Sequence, residues 1–319
     1  MRSNGPLTPS NTKYVPAVGT VNIDNSNSLK RKSNTDIILE DAIIAKRRKT
    51  VLGSIAQGDD PLGMIWDSQN YSCAYDSVFT ILGDIWVYNP TMWTREFNLM
   101  SSFANKLGLE YQKVSLQQEN LENARNTIRK LLHNKDPVAF PYGKNGVDMS
   151  DLLLRMFTGK TIGKILYNCT NCGTSSTSTS RVTSLYSISR KKYATIQEHI
   201  DATSNKTKKC TQCGQDVSKT YKYNSPIRFQ AIGLSQQSQD IEISKSIKVC
   251  SVVIPIRGAI YYSSGHFVCR IISPTGEIWY HDGIETRQQC VREGYLADYT
   301  EDSLRYQGTK ICIGVIYAL

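Results

Sequence analysis

The pattern of apolar and polar positions divides the chain into three stretches of different character. Residues 1–60 are rich in Asn, Ser, Thr and Pro and show no sustained period. So little apolar surface does not offset the entropy of ordering, and the segment is expected to be a disordered leader with one short helix at 37–46. From Pro61 the pattern turns helical. Trp66, Tyr75, Val78, Phe79, Ile81, Leu82, Ile85 and Trp86 recur at helical spacing, and 91–107, 117–133 and 148–158 continue the trend. Leu121, Ala124, Ile128, Leu131 and Leu132 fall near one face of such a helix. After residue 160, β-branched and aromatic residues take over. They form runs at 161–168, 181–189, 227–234, 247–256, 260–272, 277–281 and 310–317, separated by turn residues. Pro274-Thr275-Gly276 marks a hairpin turn between two of these runs. Helices first and an antiparallel sheet afterwards predict an α+β architecture over 61–319.

Composition narrows the setting. The 319 residues hold 38 Lys plus Arg against 28 Asp plus Glu, a net charge of +10, and nine cysteines. No run of about 18 apolar residues exists, which removes a membrane span. An odd cysteine count forbids complete pairing, and residues 1–7 carry no apolar run of the signal-peptide kind, so an intracellular protein, nuclear or cytoplasmic, is expected. Lys30-Arg31-Lys32 and Lys46-Arg47-Arg48-Lys49 resemble a bipartite nuclear localisation signal, and equally a solvated charge run. The excess charge is not spread evenly: residues 155–225 hold twelve basic and three acidic side chains, or +9.

That basic stretch contains the strongest metal signal. Cys169-Thr170-Asn171-Cys172-Gly173 is matched by Cys210-Thr211-Gln212-Cys213-Gly214, two C-x-x-C-G knuckles with 37 residues between Cys172 and Cys210. Two thiolates three positions apart reach one ion, and the Gly permits the tight backbone behind them. Cys169, Cys172, Cys210 and Cys213 therefore predict a four-sulfur zinc site, structural because no coordination position is left for a substrate. Of the other cysteines, Cys250, Cys269 and Cys312 lie in apolar runs and read as small buried hydrophobes.

Cys73 differs, because a polar loop, 67–72, gives way to helix at the cysteine itself. A thiol at a helix N-terminus meets the positive end of the macrodipole, which favours the thiolate, and loop amides there can stabilise an oxyanion. A nucleophile and an ordinary helix-start cysteine fit this pattern equally. A nucleophile needs a base, and the chain has four histidines. His133 ends an amphipathic helix and is expected at the surface, and His199 is a redundant candidate ligand within the zinc segment. His266 follows Gly265 at the start of a strand, where the glycine would let another chain approach. A hairpin turning near residue 275 pairs positions whose numbers add to 549 or 550, which brings Asp282 nearly opposite His266. His281 alternates to the other face of that strand, a structural position.

Asn70-Tyr71-Ser72-Cys73-Ala74-Tyr75-Asp76-Ser77 resembles the cysteine box of the ubiquitin-specific proteases. Gly265-His266-Phe267 with Trp279-Tyr280-His281-Asp282 is similar to their histidine box, and the knuckles between the boxes match their zinc-bearing fingers. The likeness covers about 61–319, and the form Ser72-Cys73-Ala74-Tyr75-Asp76-Ser77 resembles versions carried by fungal mobile-element proteins more than those of housekeeping enzymes. It implies a papain-like fold with helical thumb, antiparallel β palm and zinc-bearing fingers over about 160–225. It also implies hydrolysis after the C-terminal Gly-Gly of ubiquitin or a ubiquitin-like modifier by Cys73, His266 and Asp282. The family's Asn five residues before the cysteine is Ser68 here, so Gln69 or Asn70 would serve as the oxyanion donor. Asp76-Ser77 replace Asn-Ser, and Gly283 stands where a second carboxylate is usual. Two other functions share these residues: a catalytically dead binder of the same modifier, or a nucleic-acid-binding zinc module. In the latter, Tyr186, Tyr193, Tyr221 and Tyr223 interleave with the basic residues. The nucleic-acid alternative leaves Cys73, His266 and Asp282 unexplained.

Overall fold

The structure, a computed structural model, describes residues 56–57, 60–177, 182–204, 208–238 and 240–319. Of the expected leader only residues 56–57 and 60 are described, and these are paired as strand, not disordered chain; its helix at 37–46 and the two basic clusters lie outside the described residues.

Among the described residues five helices lead into the sheets: α1 (Cys73–Tyr88), α2 (Pro90–Met100), α3 (Ser102–Ser115), α4 (Leu121–Lys135) and α5 (Met149–Phe157). Residues 73–87 of α1 are buried on every side, its two aspartates, Asp76 and Asp84, included, each paired with a buried arginine. Its start leaves Trp66 in the preceding loop. The run 91–107 is broken where Ser101 takes an extended backbone and its hydroxyl caps the Ala104 amide at 3.0 Å. Helix α4 begins behind Asn120, whose side chain caps the Asn123 amide, and Leu131 lies 39 % exposed off its apolar face. A sixth helix, α6 (Ile196–Ser204), interrupts the strands.

The short pair β1 (Ala56–Gln57) and β2 (Asp60–Pro61) precedes the helices. Then follow β3 (Gly163–Asn168), β4 (Ser175–Thr177), β5 (Leu185–Ile188), β6 (Lys208–Lys209), β7 (Asp216–Tyr223) and β8 (Phe229–Leu234). The last seven are β9 (Ser246–Val249), β10 (Val252–Ser263), β11 (His266–Ile272), β12 (Glu277–His281), β13 (Val291–Tyr295), β14 (Tyr306–Gln307) and β15 (Lys310–Ala318). The main sheet runs β13-β12-β11-β10-β15-β8-β5, and a small sheet runs β4-β3-β7-β6. It is a mixed fold of helices and sheets, and antiparallel except that β5 pairs parallel to β8.

Two apolar runs that read as single strands are hairpins. In 247–256 the turn is Cys250-Ser251 and in 260–272 it is Ser264-Gly265, all four residues with positive φ. Such turns match the right-handed twist of the flanking strands, and each is only two residues long within an otherwise apolar run. Cys250 is accordingly a half-buried turn residue, while Cys269 and Cys312 are buried as expected. A Cβ built on Gly265 would meet nothing within 4 Å among the described residues, so that glycine serves the turn and not a close approach.

The main sheet is buried on both faces, which explains the near-continuous apolar strands. Ile260, Cys269, Ile271 and Ile316 join the helical core with Tyr75, Phe79 and Leu82 of α1. Tyr261, Val268, Ile272 and Val315 join a second core with Ile196 and Ile200 of α6. Helix α1 packs across β10 and β11, close enough at Gly258 that a Cβ there would lie 2.6 Å from Ile81. This contact brings the N-terminus of α1 to the end of the sheet where β11 begins and β12 ends.

Candidate functional site

Cys73 is the first residue of α1 and is 6 % exposed. His266 opens β11, and Asp282 follows the last residue of β12. The pairing of Cys269 with His281 and Arg270 with Tyr280 is the expected register. Continued by one position, it sets Asp282 across from Val268, hence diagonal to His266 on the same side of the sheet. The side chains close the gap: His266 Nε2 and Asp282 Oδ1 are 2.9 Å apart. With Nε2 committed, Nδ1 is the ring nitrogen left for Cys73, whose sulfur acts on the same ring as a hydrogen-bond partner and through its charge.

Asp282 is itself fixed. Its Oδ1 accepts the Ile284 amide at 2.9 Å, its Oδ2 accepts the Tyr280 hydroxyl at 3.3 Å, and its main chain exchanges hydrogen bonds with Thr286. Burial works against ionisation, but the His266 bond and these amides outweigh it and hold Asp282 down at about 2. Burial likewise works against charge on His266, yet hydrogen bonds to Asp282 and Cys73 raise it to about 9. The pair therefore contributes stability that is complete below the imidazole's ordinary 6.5 and is lost as pH rises through about 9. The carboxylate's share is complete above its ordinary 3.8 and lost as pH falls through about 2. We expect the melting-temperature gap between wild type and His266→Gln to narrow between pH 6.5 and 9, measured by thermal denaturation.

Gly283 has a packing cause. A Cβ there would stand 2.8 Å from the Met64 carbonyl and 2.9 Å from the Trp66 amide, which itself donates to the Gly283 carbonyl. The strand end is pressed against the loop leading to Cys73, and no side chain fits.

Of the two amides considered for the oxyanion, Asn70 donates through Nδ2 to Asp67 at 2.9 Å and accepts the Gly143 amide on Oδ1 at 3.0 Å. Gln69 lies on the exposed turn, its backbone amide donating to Asp67. His281 is buried, with Nε2 2.9 Å from the Arg287 carbonyl, as its alternation predicts. His133, expected at the surface, is half-buried: Nδ1 is 2.9 Å from the Phe140 carbonyl and the ring packs on Tyr142. His199 is buried on α6 and accepts the Lys192 and Tyr193 amides, so it stands apart from the thiolates.

The four predicted thiolates converge. Cys169, Cys172, Cys210 and Cys213 place their sulfurs within 4.8 Å of one another, with 3.4 Å from Cys169 to Cys213 and 3.7 Å from Cys172 to Cys210. Sulfurs on the corners of a tetrahedron about 2.3 Å from a central ion would stand about 3.8 Å apart, so the cluster fits a metal ion. The knuckles share one geometry: the Gly173 amide donates to Cys169 and the Gly214 amide to Cys210, with φ of 69° and 72° at the glycines. Hydrogen bonds from Thr174 lower Cys172 to about 6, while Cys169 in the same cluster is raised. The site ties the end of β3 to the start of β7, across α6.

The tyrosines of the same segment are mostly inside. Tyr186 is 7 % and Tyr221 1 % exposed, Tyr223 is half-buried, and only Tyr193 is exposed. Bases would find little there to stack on, which removes the aromatic half of a nucleic-acid platform.

Arginines buried beside the cysteine loop escaped the sequence reasoning. Arg125 of α4 pairs with Asp76 of α1 at 2.8 Å, and Arg129 with Asp67 at 3.5 Å. Burial pushes Asp76 up to about 7 against the pull of Arg125. The readable signal was their spacing of four, on the stripe next to the apolar face.

No family model matches the chain, and no curated protein matches it. Solved structures do resemble it. The SAGA DUB module containing Ubp8 bound to monoubiquitin is 14 % identical at a TM-score of 0.45, covering 90 % of this chain and 76 % of that one. The same module bound to ubiquitin aldehyde is 15 % identical at 0.44, covering 90 % and 76 %. The yeast module with a mutant Sgf73 is 13 % identical at 0.44, covering 90 % and 75 %. No helix among the described residues is long and apolar enough to cross a membrane.

Proposed function

We propose that the chain is a cysteine peptidase that cleaves the isopeptide or peptide bond after the C-terminal Gly-Gly of ubiquitin or a ubiquitin-like modifier. The observation that carries this is the 2.9 Å bond between His266 and Asp282, formed beside a cysteine at a helix N-terminus. The modifier as substrate rests on the likeness of the 70–77 and 265–267 boxes to those of the ubiquitin-specific proteases.

In this mechanism the Cys73 sulfur attacks the carbonyl of the terminal glycine as thiolate, countered by the His266 imidazolium. Asp282 holds Nε2, so the proton available for transfer is on Nδ1. The tetrahedral oxyanion forms next to the Cys73 amide and the loop amides, with Gln69 or Asn70 as side-chain donor. Asn70 would have to release Asp67 or use its second N–H. On collapse of the intermediate, His266 gives the Nδ1 proton to the leaving lysine amine and a thioester remains. Neutral His266 then takes a proton from water, the hydroxide attacks the thioester, and the thiolate departs. Cys169, Cys172, Cys210 and Cys213 would hold a zinc ion as a structural brace with no part in these steps. The helices of 73–157, the main sheet and the small sheet then correspond to thumb, palm and fingers.

The test is to incubate the full chain with ubiquitin and with SUMO carrying C-terminal thiol-reactive warheads. A mass-shifted adduct mapping to Cys73 is expected with one of them, and none with Cys73→Ala. Absence of an adduct with either would defeat the proposal.

A further inference from the structure

The loop that leads into Cys73 has little regular structure to hold it. Across 65–72 its main-chain bonds are Trp66 to Gly283 at 3.1 Å, Asn70 to Asp67 at 3.2 Å and, at its far end, the Asp76 amide to the Ser72 carbonyl at 2.9 Å. Tyr71, two residues before the thiol, has a φ of 43°, a conformation that a non-glycine residue keeps only where its surroundings impose it.

The surroundings are one stripe of α4. Glu122, Arg125 and Arg129 are three and four positions apart and face the loop together. Glu122 Oε1 accepts the Ile65 amide at 2.9 Å. Arg125 Nη1 donates to the Ile65 carbonyl at 2.6 Å, to Asp76 Oδ1 at 2.8 Å and to Ser72 Oγ at 3.3 Å. Arg129 donates to the Asn70 carbonyl, pairs with Asp67 and lies over the rings of Tyr75 and Tyr142 at 5.0 and 5.2 Å. Ser72 Oγ joins the two halves, accepting the Asp67 amide and donating to Asp76 Oδ2, both at 2.7 Å. The arginine side chains are 3 % and 2 % exposed.

Buried ion pairs add little stability over apolar packing of the same volume. What a guanidinium fork supplies is direction, since one planar group fixes several acceptors at once. Here the acceptors lie on both sides of Cys73 along the chain. We propose that Arg125 and Arg129 are positioning residues for Cys73, holding the strained loop and the first turn of α1 in the one arrangement that presents the sulfur to His266. This rests on the triad assignment above.

The experiment compares wild type with Arg125→Lys, Arg129→Lys and Ser72→Ala. It reads the melting temperature, the rate of Cys73 alkylation by iodoacetamide across the titration of His266, and kcat and KM on a fluorogenic modifier substrate. Lysine keeps the charge and loses the fork. Folded variants should lose about 10–100-fold in kcat and in alkylation rate with KM unchanged, as a misplacement on the ångström scale does. A merely structural role would lower the melting temperature and leave both rates of the folded protein alone, which would overturn the proposal. Should the arginine variants fail to fold, Ser72→Ala, which removes one hydroxyl, decides by the same criterion. Alkylation needs no modifier, so the two proposals fail separately. A wild-type Cys73 no faster than the same thiol in the unfolded chain removes the triad and the positioning role together. A reactive Cys73 that ignores the modifier removes only the substrate.

Discussion

Cys73→Ala should abolish turnover of any modifier conjugate while leaving the fold and the metal content of the protein intact. The sulfur is the only atom in the arrangement that can form the thioester, and removal of a nucleophile from such a triad costs roughly 10⁴- to 10⁶-fold in rate. The stability cost is small by comparison, because the substitution removes one small group at the end of a helix whose burial is spread over residues 73–87. Circular dichroism and a melting curve should match wild type, with hydrolysis of a fluorogenic modifier substrate at background. Retained hydrolysis in this variant would move the chemistry away from Cys73.

Removing the metal should have the opposite profile. The cluster closes the chain between β3 and β7, and apolar support around it is thin: Cys169, Cys210 and Val217 with half-buried Tyr167 and Cys213. Bound zinc contributes roughly 10–16 kcal/mol to small zinc-folded peptides. If even about 5 kcal/mol of that is realised here, Cys210→Ser or chelation should lower the melting temperature by roughly 10–20 °C. Limited proteolysis should then cut first within 163–223. Elemental analysis should find about one zinc per wild-type chain and none in the variant. Equal zinc content and an unchanged melting curve in Cys210→Ser would refute the four-thiolate assignment.

Features set by local chemistry were readable in the sequence. The turn at Pro274-Thr275-Gly276 fixed the β11–β12 register, the change from polar loop to helix located Cys73, and the repeated knuckles named the four thiolates. What escaped depended on partners distant in sequence. Arg125 and Arg129 look like solvent-facing charges on an amphipathic helix, and only Asp76, Asp67 and the Asn70 carbonyl make them interior. The parallel pairing of β5 with β8 leaves no mark on an apolar strand buried on both faces. The Ser264-Gly265 turn sits between two apolar runs close enough to read as one long strand, and its sequence signal was the small, polar stretch Ser263-Ser264-Gly265. Gly283 read as a missing carboxylate, whereas it is the point where strand and loop touch.

The hairpin that carries His266 and Asp282 has a consequence for how the protein comes to life. These two residues are 16 positions apart and joined by a tight turn, so their contact belongs to a structure that forms in about 1–10 μs. Cys73 reaches them only when α1 docks across β10 and β11, a contact between opposite ends of the described domain and thus among the slow, non-local events of folding. A nascent or partly folded chain would carry the His266–Asp282 contact with no thiol beside it. Thiol reactivity at Cys73 then becomes a clock for the last stage of folding.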